Sequence, residues 1–181
     1  MNRPQSAGAE LARSYENEVI DTCDAPDLMT ISISSLGKEL NNQECQALAH
    51  AMTARRLTHG ELLVSEGDEN SSLFLLAKGR LAVSSLIENQ EIKVYEMRQG
   101  ECAGTRAFID REPRKATLRA IGDTIVYSME PETFLSLVDT QPRVAHKVMC
   151  ALFRITHSNL MRKNQESWQL SNYISKTNGR Y

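Results

Sequence analysis

The side chains best suited to chemistry lie in the stretch GTRAFIDREPRKAT, residues 104–117. Gly104 stands directly before residues 105–109, which read as one helical turn. The start of such a turn offers main-chain N–H groups without internal partners, and glycine lets backbone approach a ligand closely. Arg114 adds a planar, permanently charged guanidinium that matches anionic oxygens. Pro113 stiffens the approach to Arg114, Ala107 leaves room beside a ligand, and Ala116 and Thr117 lead back into extended chain. The chemistry these residues suit is the holding of a phosphate-like anion, not the making or breaking of bonds.

No other constellation competes. Cys23, Cys45, Cys102 and Cys150 are spread along the chain without the paired spacing of a zinc knuckle or redox motif. They read as reduced thiols of a cytoplasmic protein, with Cys102 inside the candidate site. His146 and Cys150 are four residues apart on a predicted helix, but His157 lies about 10 Å further along. That is too far to complete a metal shell, so no metal and no cofactor is expected. No nucleophile–base arrangement can be argued either, so the reading is non-catalytic.

The elements that must position residues 104–117 follow from periodicity. Residues 1–30 hold two basic and six acidic side chains and read as an acidic tail, with one short helix near residues 10–20. Asn41 and Glu44 form a capping-box-like helix start, after which Cys45, Leu48, Ala49 and Met52 share one face. Residues 55–129 switch to short apolar runs at 62–64, 73–77, 81–87, 92–97, 117–121 and 124–129. Gly60, Gly67, Gly79, Asn89, Gly100 and Gly122 separate them. That spacing predicts an antiparallel roll or jelly roll of about eight strands. Leu81, Val83 and Ser85 alternate with Ala82, Ser84 and Leu86.

Helical periodicity returns after Met129. Pro131 opens one helix with Phe134, Leu135 and Val138 as its apolar stripe. Pro142 opens a longer one, with Val144, Val148, Leu152, Ile155 and Leu160 on the buried side, running to Trp168 over about 40 Å. Such a helix outruns a small roll, which points to a homodimer formed along it. Residues 143–181 carry seven basic side chains against one acidic. The domain plan is thus a tail at 1–30, one domain at 31–170 including the long helix, and a second tail at 171–181. No apolar run approaches the roughly 18 residues of a membrane span.

Residues 59–83, HGELLVSEGDENSSLFLLAKGRLAV, resemble the first half of a cyclic nucleotide-binding domain. Residues 104–117 are similar to that family's phosphate-binding cassette, G-E-x-A-L-L-x-x-x-P-R-[SAT]-A-T, and the resemblance spans roughly residues 30–165. It implies the β-roll of catabolite activators and protein kinase A regulatory subunits, flanked by N-terminal helices and two C-terminal helices. It also implies a bound cyclic nucleotide, cyclic AMP first, and no metal. The implied contacts are Gly104, Thr105, Arg106, Ala107, Arg114, Lys115 and Ala116, with Leu152, Phe153 and Thr156 of the long helix as a lid.

The chain departs from the cassette at its second position. Thr105 stands where the family has a glutamate that accepts from the ribose 2′-hydroxyl, and Glu101 lies too early to replace it. Loss of that charged hydrogen bond weakens ribose binding by about one to two decades. Arg106 and Lys115 add positive charge, which suits a more anionic ligand such as cyclic di-GMP. Three functions follow: a cyclic-nucleotide sensor, a sensor of that more anionic ligand, or an interaction module with a vestigial pocket. DNA recognition through a helix-turn-helix is not expected, because residues 171–181 are too short to supply one.

Overall fold

The computed structural model describes residues 25–178. Helix α1 (Leu28–Ile33) starts at Asp27, whose carboxylate accepts from the Thr30 N–H at 2.8 Å. The N–H of Asp27 in turn donates to the Tyr127 hydroxyl at 3.0 Å, fastening this end of the chain to the sheet. In α2 (Asn42–His50) the predicted capping box is present in both directions, Glu44 N to Asn41 Oδ1 and Asn41 N to Glu44 Oε2. Cys45, Leu48, Ala49 and Met52 are all buried beneath it.

The sheet comprises β1 (Thr53–Leu57), β2 (Leu62–Val64), β3 (Leu73–Ile87), β4 (Gln90–Met97), β5 (Cys102–Ala103) and β6 (Thr117–Met129). All pairings are antiparallel, in the order β1-β6-β3-β4, with β2 on β6 and β5 on β3. The fold is the expected antiparallel β-roll with flanking helices. Among the described residues its strands number six, because Gly79 and Gly122 bend long strands instead of ending them. Around Gly79 the ladder with β6 slips register twice, and a Cβ there would lie 2.6 Å from the Asp123 carbonyl. A further register shift between Val83 and Ser84 resets the alternation read from residues 81–87. Ser84 is consequently buried, donating to Glu91 Oε1 at 2.6 Å. Strand β1 carries Thr53, Ala54, Arg55 and Arg56 before its one buried residue, Leu57, so no apolar run announces it.

Three tight turns share one construction, x-x-Gly-acid. The acid accepts the N–H three residues earlier: Thr58 to Glu61 at 3.0 Å, Ser65 to Asp68 at 2.7 Å and Arg98 to Glu101 at 3.0 Å. The glycine in each has φ between +84° and +91°, where a side chain is strained.

Strand β3 faces two cores by its period of two. Leu73 and Leu75 pack among the helices, while Phe74 and Leu76 point into the roll with Leu63, Val64, Leu81, Met97 and Leu118. Helix α3 (Thr105–Asp110) occupies the predicted helical turn. Pro131 and Pro142 open α4 (Pro131–Thr140) and α5 (Pro142–Asn178) as expected. The stripe on α4 is shifted: Phe134 and Leu137 are buried, whereas Leu135 and Val138 face outward. On α5, Val144, Val148 and Leu152 are buried and Ile155 is half-buried, but Leu160 is exposed. The boundaries drawn at residues 30 and 170 fall inside α1 and α5. The helix expected near residues 10–20 lies outside the described residues. Among those described, no helix is long and apolar enough to cross a membrane.

Candidate functional site

A cavity of about 680 Å³ opens between the interior of the roll, α3 and one face of α5. That volume suits a small molecule, for which sites run from about 300 to 1,000 Å³. Val64, Val83, Met97 and Leu118 give it apolar walls, and Gly104, Thr105, Arg106, Ala107, Arg114, Lys115 and Ala116 all line it. The sequence therefore brought the whole predicted cassette to one place.

Arg114 is held from both ends. Its N–H donates to the Asp68 carbonyl and its carbonyl accepts from the Gly67 N–H, each at 2.8 Å, so an x-x-Gly-acid turn carries it. The side chain runs inward until it is only 4% exposed. Nη2 donates to the Ser72 carbonyl at 2.6 Å and to Asn70 Oδ1, and Cζ lies 4.6 Å from the centre of the Phe74 ring. Nε and Nη1 are buried without a hydrogen-bond partner. Burial pulls the guanidinium down to about 10, against the opposing pull of Glu130 and Asp68, which leaves it charged at neutral pH. A buried cation with two unused donors is costly unless an anion completes it.

Gly104 is needed here for space. A Cβ at this position would lie 2.2 Å from Arg114 Nη1 and 2.9 Å from the Ser72 carbonyl, and φ is +83°. Beyond it, the N–H groups of Thr105, Arg106 and Ala107 open α3 and are not used by its own ladder. Thr105 is half-buried on the cavity wall.

Arg106 and Lys115 do not act as surplus charge. Both extend toward solvent and meet one carboxylate, with Arg106 Nε 3.2 Å and Lys115 Nζ 3.6 Å from Glu112 Oε2. The lid is also corrected. Leu152 is buried in the helical core, Phe153 is 72% exposed and stacks on His157, and the Thr156 hydroxyl donates to the Leu152 carbonyl. The face of α5 over the cavity carries Ala151, Ile155, Ser158, Asn159 and Arg162. Each helical residue turns about 100°, so a phase error of one position moves a side chain off the cavity.

Three residues that line the cavity, Tyr95, Glu101 and Arg162, were not expected there from the sequence. The Tyr95 hydroxyl donates to both oxygens of Glu101 at 2.8 and 3.0 Å, and Arg162 Cζ sits 4.5 Å from the centre of the Tyr95 ring. This contact draws α5 onto the roll, assisted by Arg154 on Glu39 and by Lys147 on Glu44. The x-x-Gly-acid pattern at Arg98–Glu101 was the signal available for Glu101; Asn70, Tyr95 and Arg162 had none. Cys102 also lines the cavity; burial pushes its thiol up to about 12, and Ser35 Oγ lies 3.4 Å from Sγ.

The sequence model of the cyclic nucleotide-binding domain family matches residues 54–141. Over 147 residues the chain is 26% identical to mouse cGMP-dependent protein kinase 2, covering 78% of this chain and 19% of the kinase. It thus spans about a fifth of that relative's length. A cyclic nucleotide-binding domain from Methylobacillus flagellatus superposes with a TM-score of 0.70 at 21% identity, covering 77% of this chain and 79% of that one. The catabolite activator protein of Thermus thermophilus gives a TM-score of 0.64 at 24% identity, over 74% and 63% of the two chains. These two likenesses are of fold. Through residues 54–141, this chain belongs to the cyclic nucleotide-binding domain family.

Proposed function

We propose that this chain is a non-catalytic, cytoplasmic sensor of a cyclic mononucleotide, cyclic AMP first and cyclic GMP second. The observation that carries the reading is Arg114, buried beside the cavity with Nε and Nη1 unpaired. A cyclic phosphate brings one negative charge and exposed oxygens to those donors, and the α3 amides lie alongside. Thr105 takes the ribose hydroxyl with a neutral hydrogen bond, and Ala107 and Ala116 leave the sugar its space. The base lies toward Ile155 and Asn159 of α5, which closes over it.

Ligand shifts α5 only by its preference for the closed arrangement. The output runs along the outer face of α5, through pairing with a second copy of the chain. Glu112, by holding Arg106 and Lys115, weighs against a more anionic ligand such as cyclic di-GMP. Thr105 favours the other reading, an interaction module with a vestigial pocket.

Calorimetric titration with cyclic AMP, cyclic GMP and cyclic di-GMP decides between them, repeated on Arg114→Ala. Saturable heat with a cyclic mononucleotide, lost in the variant, is the expected result. At a hundred times its dissociation constant the ligand adds about 2.7 kcal/mol of stability. No heat with any of the three, or heat unchanged in Arg114→Ala, overturns the sensor reading.

A further inference from the structure

Positions 146, 150, 153, 157, 160 and 164 of α5, occupied by His, Cys, Phe, His, Leu and Asn, follow at 4-3-4-3-4 spacing and so share one face of the helix. They lie opposite the face that packs on the roll. Phe153 and Trp168 are 72% and 75% exposed on this outer side, joined by exposed Leu160, Met161 and Met149. With about 150–250 Å² on each aromatic side chain, the stripe offers about 600 Å² of apolar surface per copy, close to the roughly 800 Å² per partner of a specific dimer. With a two-fold axis running along the helix, a second copy would cover it in parallel.

That axis has a chemical consequence at the stripe's first two positions. His146 Nε2 and Cys150 Sγ stand 3.8 Å apart, at i and i+4 on one face. In a tetrahedral zinc site, with Zn–N of about 2.0–2.1 Å and Zn–S of about 2.3 Å, the N···S edge is about 3.6 Å. The pair already has the span of two ligands on one ion. A single chain cannot finish the shell, for no group of three candidate ligands occurs among the described residues. Parallel two-fold pairing sets the same two residues of the second copy opposite and completes an N2S2 set, which suits Zn²⁺.

We propose that two copies of this chain, paired along α5, share one zinc ion between their His146 and Cys150 side chains. Two thiolates neutralise the ion, with their protons released to solvent. The site therefore tolerates the neighbouring Arg143 and Lys147, the latter already held by Glu44. The inference rests on the α5 pairing proposed above and is independent of what fills the cavity.

The test uses the full chain, reduced and freed of metal, titrated with Zn²⁺ and with Co²⁺ while its oligomeric state is followed by ultracentrifugation. One metal per two chains is expected, together with the intense visible bands of tetrahedral thiolate-bound cobalt. Cys150→Ser and His146→Ala, both on the helix surface, are expected to weaken metal binding by more than about a hundredfold with unchanged circular dichroism. A dimer that takes up no metal, or metal retained in Cys150→Ser, overturns the zinc site. A monomer with and without metal overturns the pairing as well. Cyclic-nucleotide heat measured on the same preparation separates either failure from a failure of the sensor reading.

Discussion

Replacing Arg114 by methionine separates what this residue does for folding from what it does for binding. Holding the guanidinium at about 10 instead of 12.5 corresponds to about 3 kcal/mol by which the buried site disfavours its charge. Methionine, similar in length and apolar, removes that cost and keeps contact with Phe74. It also leaves the Ser72 carbonyl without its donor, a loss of about 1–3 kcal/mol, while Asn70 Oδ1 still accepts from the Ser72 N–H. The two effects nearly cancel. Ligand-free Arg114→Met is therefore expected to melt within about 6 °C of the parent, since each kcal/mol moves a chain of this size by about 2–4 °C. Binding responds very differently. Two charge-assisted hydrogen bonds at about 1.5–3 kcal/mol each disappear, so affinity for cyclic AMP falls by about two to four decades. Thermal melts with and without millimolar ligand, and calorimetry, read both quantities on one sample. A variant that binds within tenfold of the parent would refute the phosphate role. One that unfolds more than about 10 °C lower without ligand would show that Arg114 is a structural strut.

Thr105→Glu restores a charged acceptor and is expected to tighten cyclic AMP by about one to two decades, whereas Thr105→Gln restores little; equal affinities by calorimetry would count against the register. Gly104→Ala forces φ = +83° on a side chain and drives Cβ to 2.2 Å from Arg114 Nη1. It is expected to lose at least about 1–2 kcal/mol of stability in denaturant melts and to abolish ligand protection. Cys102 titrates well above its unfolded value of 9.0, at about 12, so the unfolded thiol ionises first as pH rises. Its contribution to stability is whole below pH 9 and falls between there and about pH 12. Cys102→Ala should flatten that part of the stability–pH curve, and an unchanged slope would place the thiol in water.

What could be read from the sequence was whatever depends on neighbours in the chain. The capping box at Asn41 and Glu44, the helix-opening prolines and the glycine-punctuated turns are local devices, and each stands where it was expected. The cassette was legible because its residues fall within one short stretch whose turn and helix fix their mutual positions. Contacts that cross the sheet were not. Nothing in the sequence near residue 70 says that Asn70 and the Ser72 carbonyl will receive Arg114, because that meeting is set by how the β2–β3 connection folds over residues 113–116. Helical phase was the other blind spot. On α4 and α5 apolar residues occur on more than one face, so periodicity chose Leu135 over Leu137, and the lid implied by the resemblance fell on Leu152, Phe153 and Thr156 where the structure has Ile155 and Asn159 over the cavity. The overcount of strands has a similar source: a glycine reads identically whether it ends a strand or bends one.

The rotation of α5 matters more than the names of the residues it swaps. With Leu152 in the core and Ile155, Asn159 and Arg162 over the cavity, the helix presents three separate faces to three environments. Close to the roll it is fixed: Val144, Val148 and Leu152 pack among α2, α4 and the sheet, and Lys147 is tied to Glu44. Farther along, its contacts include half-buried Ile155 against the core, the Tyr95 ring beneath Arg162, and an exposed ion pair from Arg154 to Glu39 in the α1–α2 connection, which is weak in water. A ligand in the cavity meets this second half and not the first. Under the sensor reading, what moves is the segment beyond about residue 154, pivoting on a fixed start. His157 and Leu160 of the outward stripe lie on that moving segment, so closing the cavity would turn them as well. Under that reading the proposed pairing surface would receive the signal without any further relay, because both faces belong to one helix.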